Sequence, residues 1–143
     1  MTQVKDLMTT DVVTIAAADP LRDAIRKMTT GRFRRIPVVR EGTLIGIITD
    51  RDIRRALNSP VVIHERSADE YLLDSVMVGS SMTSDPLTIE PGDDILKAAE
   101  LMEHHKIGGL PVVEKERLVG ILTISDLMNY LVRCLREDKG SPG

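Results

Sequence analysis

The sequence predicts a mixed α/β (α+β) fold: two β-α-β-β-α units packed as a pseudo-two-fold pair. Three observations carry this. One stretch occurs twice, as Gly46-Ile47-Ile48-Thr49-Asp50-Arg51-Asp52 and as Gly120-Ile121-Leu122-Thr123-Ile124-Ser125-Asp126. Each copy is an apolar strand signal that stops at a threonine and runs into an amphipathic stretch. The same offset of 74 residues, without a gap, aligns Met8-Thr9 with Met82-Thr83, Thr14-Ile15 with Thr88-Ile89, Asp19 with Asp93, Met28 with Met102, and Pro37-Val38-Val39 with Pro111-Val112-Val113. Residues 4–57 and 78–132 are therefore read as two copies of one unit, too few for a solenoid.

In copy one, Val4 to Met8 reads as a short helix and Val12 to Ile15 as a brief strand. Asp19 is the expected N-cap, with Pro20 at the first helical position, where its missing N–H costs nothing. Leu21, Ala24, Ile25 and Met28 then make one apolar helix face, and Gly31 is placed to close that helix. Ile36 to Val39 reads as a strand, Glu41-Gly42 as a turn, and Leu44 to Ile48 as its antiparallel return. A helix from about Asp50 to Leu57 ends the unit. Copy two repeats this order, with Asp93 as the cap, Ile95, Ala98, Ala99 and Met102 inward, and a hairpin around Glu114-Lys115-Glu116-Arg117. Its last helix is longer, from about Ser125 to Arg136. Residues 58–77 read as a linker in which Asn58-Ser59-Pro60 ends a helix and Ala68 to Val76 forms a short one, with Tyr71, Leu72 and Leu73 as its apolar content. Residues 133–143 read as a helix end and a frayed tail.

Composition narrows the function. The 143 residues are 42% hydrophobic and 29% charged, which predicts a packed core rather than disorder. There is no Trp, one Phe and two Tyr, so Ile, Val, Leu, Met and Ala must build that core, with the seven methionines as filler. A net charge of −3 gives no global attraction to nucleic acid or to an anionic membrane, and few aromatics argue against base stacking. Charge is uneven: residues 1–74 carry +1 and residues 75–143 carry −4. Six arginines, Arg32, Arg34, Arg35, Arg51, Arg54 and Arg55, cluster in the first half, which reads as solvated basic faces or, as a rival, a nucleic-acid surface. The single cysteine, Cys134, fits a reducing compartment, and the first residues lack a signal-peptide pattern. No run reaches the length of a membrane span, so a cytoplasmic protein without a membrane partner is expected.

The chemistry concentrates at Thr-x-x-Asp, where strand meets helix. There the hydroxyl and the carboxylate can cap orphan backbone N–H groups. The same geometry suits a ligand. A helix N-terminus attracts phosphate, and an acceptor-only carboxylate matches the two donors of a ribose diol. Both readings stand at this point. His104-His105 lie about a quarter-turn apart on a helix, with no cysteine or carboxylate cluster to complete a metal site. Cys134 has no nearby base, so no nucleophile is read, and an enzyme is the least favoured class.

Two units of Met-Thr, Pro-Val-Val and Gly-Ile-h-Thr-x-x-Asp (h, a hydrophobic residue) resemble a tandem pair of cystathionine β-synthase (CBS) domains, a Bateman module. The resemblance spans roughly residues 4–132. Arg34-Arg35-Ile36-Pro37-Val38-Val39, with Ser59-Pro60-Val61-Val62 and Glu70-Tyr71-Leu72-Leu73, is similar to the CBS pair of acetoin-utilisation B-type proteins. The resemblance implies a non-catalytic regulatory sensor with no required cofactor. It would bind AMP, ADP, ATP or S-adenosylmethionine in two clefts between the copies, act as a homodimer, and signal to an effector protein. One cleft would use Thr49, Arg51, Asp52, Arg34 and Arg35, completed by Thr83, Leu87, Ile107, Gly108 and Gly109. The other would use Thr123, Ser125, Asp126, Gly108 and Gly109, completed by Thr9, Val13, Phe33, Arg34 and Arg35. The alternative is a ligand-free dimeric interaction scaffold.

Overall fold

A computed structural model describes residues 1–57 and 66–140. The chain forms two compact units, one of residues 13–86 and one of residues 1–12 with 87–143. These units are cut at different places from the sequence repeats: each copy's opening segment belongs to the unit built on the other copy's hairpin.

In the unit of residues 13–86, α2 (Leu21–Gly31) precedes a hairpin of β1 (Arg35–Arg40) and β2 (Thr43–Thr49), and α3 (Asp50–Leu57) follows without a break. Next come α4 (Arg66–Ser75), the single turn α5 (Val78–Ser81) and the two-residue strand β3 (Thr83–Ser84). The strand β3 lies antiparallel to β2, with Thr83 opposite Ile47. The expected strand at Val12 to Ile15 shrinks to one parallel bridge between Ile15 and Val38. Only Ile15 of that stretch is buried, so only it docks on the sheet edge. The core joins Ile15, Leu21, Ala24, Met28, Ile36, Val38, Ile48, Ile53 and Val78. Arg22 ties α2 to α4 through Asp74 at 2.5 Å and Glu70 at 2.6 Å, which holds the Asp74 carboxyl below the usual carboxylate range. Tyr71 of α4 faces solvent, while Leu73 packs on the core.

The other unit repeats the plan with α1 (Val4–Leu7), α6 (Ile95–His105), β4 (Gly109–Glu114), β5 (Arg117–Thr123) and α7 (Ile124–Gly140). Here Ile89 bridges Val112, and Thr9 bridges Ile121. Its core holds Val4, Ile89, Ala98, Met102, Leu110, Val112 and Leu122. The last helix runs four residues beyond the expected Arg136, because no breaker interrupts it before Gly140.

Two helix starts fall one residue later than expected. Pro20 is the N-cap of α2, and Asp94, not Asp93, caps α6 by accepting the Leu96 N–H. Asp19 and Asp93 instead accept the N–H groups of Ala16 and Glu90, closing the preceding turns. The left-handed residue that ends α2 is Arg32, matched by Lys106 after α6. Gly31 stays helical, and a Cβ there would overlap the Phe33 ring. Methionine is core filler only in part: Met28 and Met102 are buried and Met8 and Met82 pack on the cores, but Met1, Met77 and Met128 are exposed. Asn58-Ser59-Pro60 lies outside the described residues, as do residues 141–143 of the tail.

Both hairpins turn through two residues of positive φ, Glu41 (51°) with Gly42 (83°) and Lys115 (52°) with Glu116 (69°). Such a tight turn matches the twist of the strands it joins, and the second position favours glycine. Glu116→Gly is therefore expected to stabilise the fold by about 0.5–1 kcal/mol, because the left-handed cost of a Cβ exceeds the entropy glycine loses. A denaturant titration reads this as a higher midpoint at unchanged slope. Gly42→Glu should move the midpoint the other way.

Candidate functional site

The repeated strand–helix joint forms a reciprocal box in both units. The Thr49 N–H donates to Asp52 Oδ2 at 2.9 Å, and the Asp52 N–H donates to Thr49 Oγ1 at 3.1 Å. In the other unit the Thr123 N–H donates to Asp126 Oδ2 at 2.9 Å, and Thr123 Oγ1 reaches the same oxygen at 3.1 Å. The Asp126 N–H returns to Thr123 Oγ1 at 3.4 Å. The cap is thus real, and it occupies one carboxylate oxygen of each aspartate.

The second oxygens differ. Asp52 is buried, and its Oδ1 has only the exposed Arg55 guanidinium nearby among the described residues, at 4.0 Å. Asp126 is half-buried, and its Oδ1 accepts the Thr9 hydroxyl at 3.3 Å. Thr9 comes there because it bridges Ile121, one residue past Gly120. A Cβ on Gly120 would meet Met8 Sδ at 2.8 Å and the Thr9 carbonyl oxygen at 3.0 Å. Gly46 stands in the same relation to Met82 Sδ, at 2.6 Å, and to the Thr83 carbonyl oxygen, at 2.8 Å. The Met-Thr and Gly-Ile motifs are therefore two halves of one contact, in which glycine admits the Met-Thr backbone against the strand.

The segment before each hairpin meets the same joint. The Arg34 carbonyl accepts the Asp50 N–H at 2.9 Å, and the Gly108 carbonyl accepts the Ile124 N–H at 3.0 Å. Across the hairpins, Arg35 stands opposite Thr49 and Gly109 opposite Thr123. The half-buried Arg35 guanidinium is pushed down from its ordinary value by burial; Asp50 opposes this and Arg34 adds to it. It remains a cation, since arginine does not lose its proton in proteins. Arg34, Arg51 and Ser125 are exposed.

The structure brings Arg34, Arg35, Thr49, Arg51, Asp52 and Thr83 into one unit, together with Val13 and Phe33. It brings Thr9, Ile107, Gly108, Gly109, Thr123, Ser125 and Asp126 into the other, together with Leu87. Arg55, which the sequence shows only as part of a basic cluster, lies 4.0 Å from Asp52 at an i,i+3 spacing on the same helix. Asp50 belongs to the same joint and has no role in the motif. It accepts the Arg51 N–H at 2.9 Å and lies 3.4 Å from Arg54, so it tempers the basic cluster. Among the described residues no group of three or more His, Cys, Asp or Glu is arranged to hold a metal ion, and no helix is long and apolar enough to cross a membrane.

The CBS domain family profile matches residues 4–59 and 76–133, and the chain belongs to that family as a tandem CBS pair. A CBS domain-containing protein of Dictyostelium discoideum is 39% identical over 134 residues, covering 92% of each chain. The structure of a Vibrio cholerae protein assigned to acetoin utilization (AcuB) superposes with a TM-score of 0.83 at 29% identity, covering 100% of this chain and 99% of that one. CBSX2 in complex with AMP matches with a TM-score of 0.79 at 25% identity over 94% of this chain and 98% of its own. The CBS pair of protein MJ0100, in complex with 5-methylthioadenosine and S-adenosylmethionine, matches with a TM-score of 0.76 at 26% identity over 92% and 96%.

Because Asp52 Oδ2 serves the cap, Asp52→Ala is expected to cost about 1 kcal/mol of stability, as lost N-caps do. Asp52→Asn keeps an acceptor for the Thr49 N–H and should cost clearly less. Chemical denaturation of the two variants side by side checks the order.

Proposed function

We propose that this protein is a non-catalytic regulatory module that binds adenosine-containing ligands, AMP, ADP, ATP or S-adenosylmethionine, at its two Thr-x-x-Asp joints. The observation that carries the reading is the divided carboxylate of Asp52. One oxygen is spent on the cap, and the other has no hydrogen-bond donor within reach among the described residues. A ribose diol supplies the donors that such an oxygen lacks. The adenosine compounds held by CBSX2 and by the MJ0100 pair support the same ligand class. The ligand-binding residues are those read from the sequence, which drew Arg34, Arg35, Gly108 and Gly109 into both clefts; here they are grouped by the unit each belongs to, Asp52 with Thr49, Arg34, Arg35 and Arg51, and Asp126 with Thr123, Ser125, Thr9, Gly108 and Gly109. Thr83, Leu87, Ile107, Val13 and Phe33 complete the set.

The joint binds rather than reacts: it offers hydroxyls and a carboxylate held in place by the cap, with no activated nucleophile beside them. Signalling then rests on differential affinity. A ligand shifts the packing of the CBS copies only as far as it prefers one arrangement, and an effector protein reads that shift. The setting is cytoplasmic. Nucleic acid is not the expected partner: the chain carries a net charge of −3 and few aromatics, and Arg54 and Arg55 lie beside Asp50 and Asp52 on their own helix.

A thermal-shift panel of AMP, ADP, ATP and S-adenosylmethionine tests this. Ligand at a hundred times Kd adds about 2.7 kcal/mol, which raises Tm by several degrees. The double variant Asp52→Asn with Asp126→Asn should lose the shift while still unfolding cooperatively, at a ligand-free Tm only slightly below that of the wild type. A panel with no shift favours the scaffold reading.

One observation serves both readings. On α7, Ile124, Met128, Leu131 and Leu135 follow each other at spacings of four, three and four, and each is about half exposed. We propose that this seam is covered in a homodimer. Light scattering should give twice 15.8 kDa, and Leu131→Glu should give the monomer at the same concentration.

A further inference from the structure

We infer that the two joints select different ligands: the Asp52 joint takes a nucleoside polyphosphate, and the Asp126 joint takes an adenosyl compound without a polyphosphate. This rests on the adenosine-binding reading and adds to it which joint takes which ligand.

The frame is the same in both units, so the difference lies in three positions on that frame. At the Asp52 joint, Arg35 stands directly opposite Thr49 in the hairpin, which puts their Cβ atoms about 5 Å apart. At the Asp126 joint, the residue opposite Thr123 is Gly109, with no side chain. The carbonyl that meets the helix start comes from Arg34 in one case and Gly108 in the other. The residue before the aspartate is Arg51 in one and Ser125 in the other. Three cations thus stem from the backbone around the first joint, and none from the matching positions of the second.

The aspartates differ as well. Oδ1 of Asp126 is engaged by the Thr9 hydroxyl at 3.3 Å, whereas Thr83, the counterpart of Thr9, makes no such bond to Asp52. A ribose at Asp126 must compete with Thr9, and one at Asp52 need not.

The three arginines are not spent on carboxylates. Arg35 has Asp50 near it but forms no ion pair with it, and the Arg34 and Arg51 guanidinium groups form no ion pair among the described residues. Partial burial without a paired carboxylate leaves Arg35 a desolvated cation, the state in which an anion binds best. A phosphate chain running from a ribose on Asp52 supplies that anion, and adenosine alone does not.

Titration calorimetry with ATP and with adenosine tests this on the wild type, Asp52→Asn, Asp126→Asn, Arg51→Ala and Arg51→Lys. The expected result is a tighter ATP site that Asp52→Asn removes and Asp126→Asn spares. Arg51→Ala should weaken ATP at that site about tenfold with adenosine unchanged, and Arg51→Lys should recover part of the loss. ATP binding should weaken as salt rises, and adenosine binding should not. Loss of the tight ATP site in Asp126→Asn, or an equal effect of Arg51→Ala on ATP and adenosine, overturns the inference and leaves the adenosine-binding reading standing. Wild-type protein that binds neither compound overturns both.

Discussion

Everything at the two joints depends on a backbone meeting a backbone at Gly46 and Gly120. The Thr83 and Thr9 carbonyl oxygens lie where a Cβ on those glycines would be, within 2.8 and 3.0 Å. That contact docks each Met-Thr segment on a hairpin from the other repeat. It seats Val78 and Val4 in the cores of the units so formed. It also sets Thr9 beside Asp126. Enlarge the glycine and the strand must shed its neighbour, since sulfur can move aside but a carbonyl held in a β-bridge cannot.

From that contact the economy of the Thr-x-x-Asp motif follows. The motif was read in two ways, as a helix cap and as a ligand grip, and the geometry makes these compatible. A carboxylate has two oxygens with about two acceptor sites each, and the cap engages one oxygen. The cap immobilises the side chain, so a ligand meeting the other oxygen need not order it. Preorganisation of this kind converts a structural hydrogen bond into binding free energy.

The repeat, the hairpins and the long helices were legible because their signals are local. Period-2 and period-3.6 patterns, a Glu-Gly turn and a Thr-x-x-Asp joint lie within a few residues of one another. The exchange of opening segments was not legible. Val4 and Val78 are equally apolar, and nothing in their own sequence says which hairpin they will cover. The strand at Val12 to Ile15 failed for a related reason: Val12, Val13 and Ile15 have strand propensity, yet only Ile15 finds a partner. The caps slipped by one residue because Asp19 and Asp93 accept from the turn behind them rather than from the helix ahead.

The site was legible in its anchors and hidden in its differences. Asp52 and Asp126 look equivalent in the sequence, and their boxes are nearly superposable in kind. What distinguishes them is the third donor on Asp126, which comes from a residue 117 positions away. No local pattern encodes such a pair; it exists only once the Met-Thr segment has crossed to the other hairpin. A duplicated unit thereby gains two joints that are not equivalent, even where the motif itself is unchanged. The repeats diverge least at the glycine and the box, which the fold requires, and diverge at Arg34, Arg35 and Arg51, which it does not. Positions outside the core, around a preserved frame, are where a duplicated site can change its chemistry at little cost in stability.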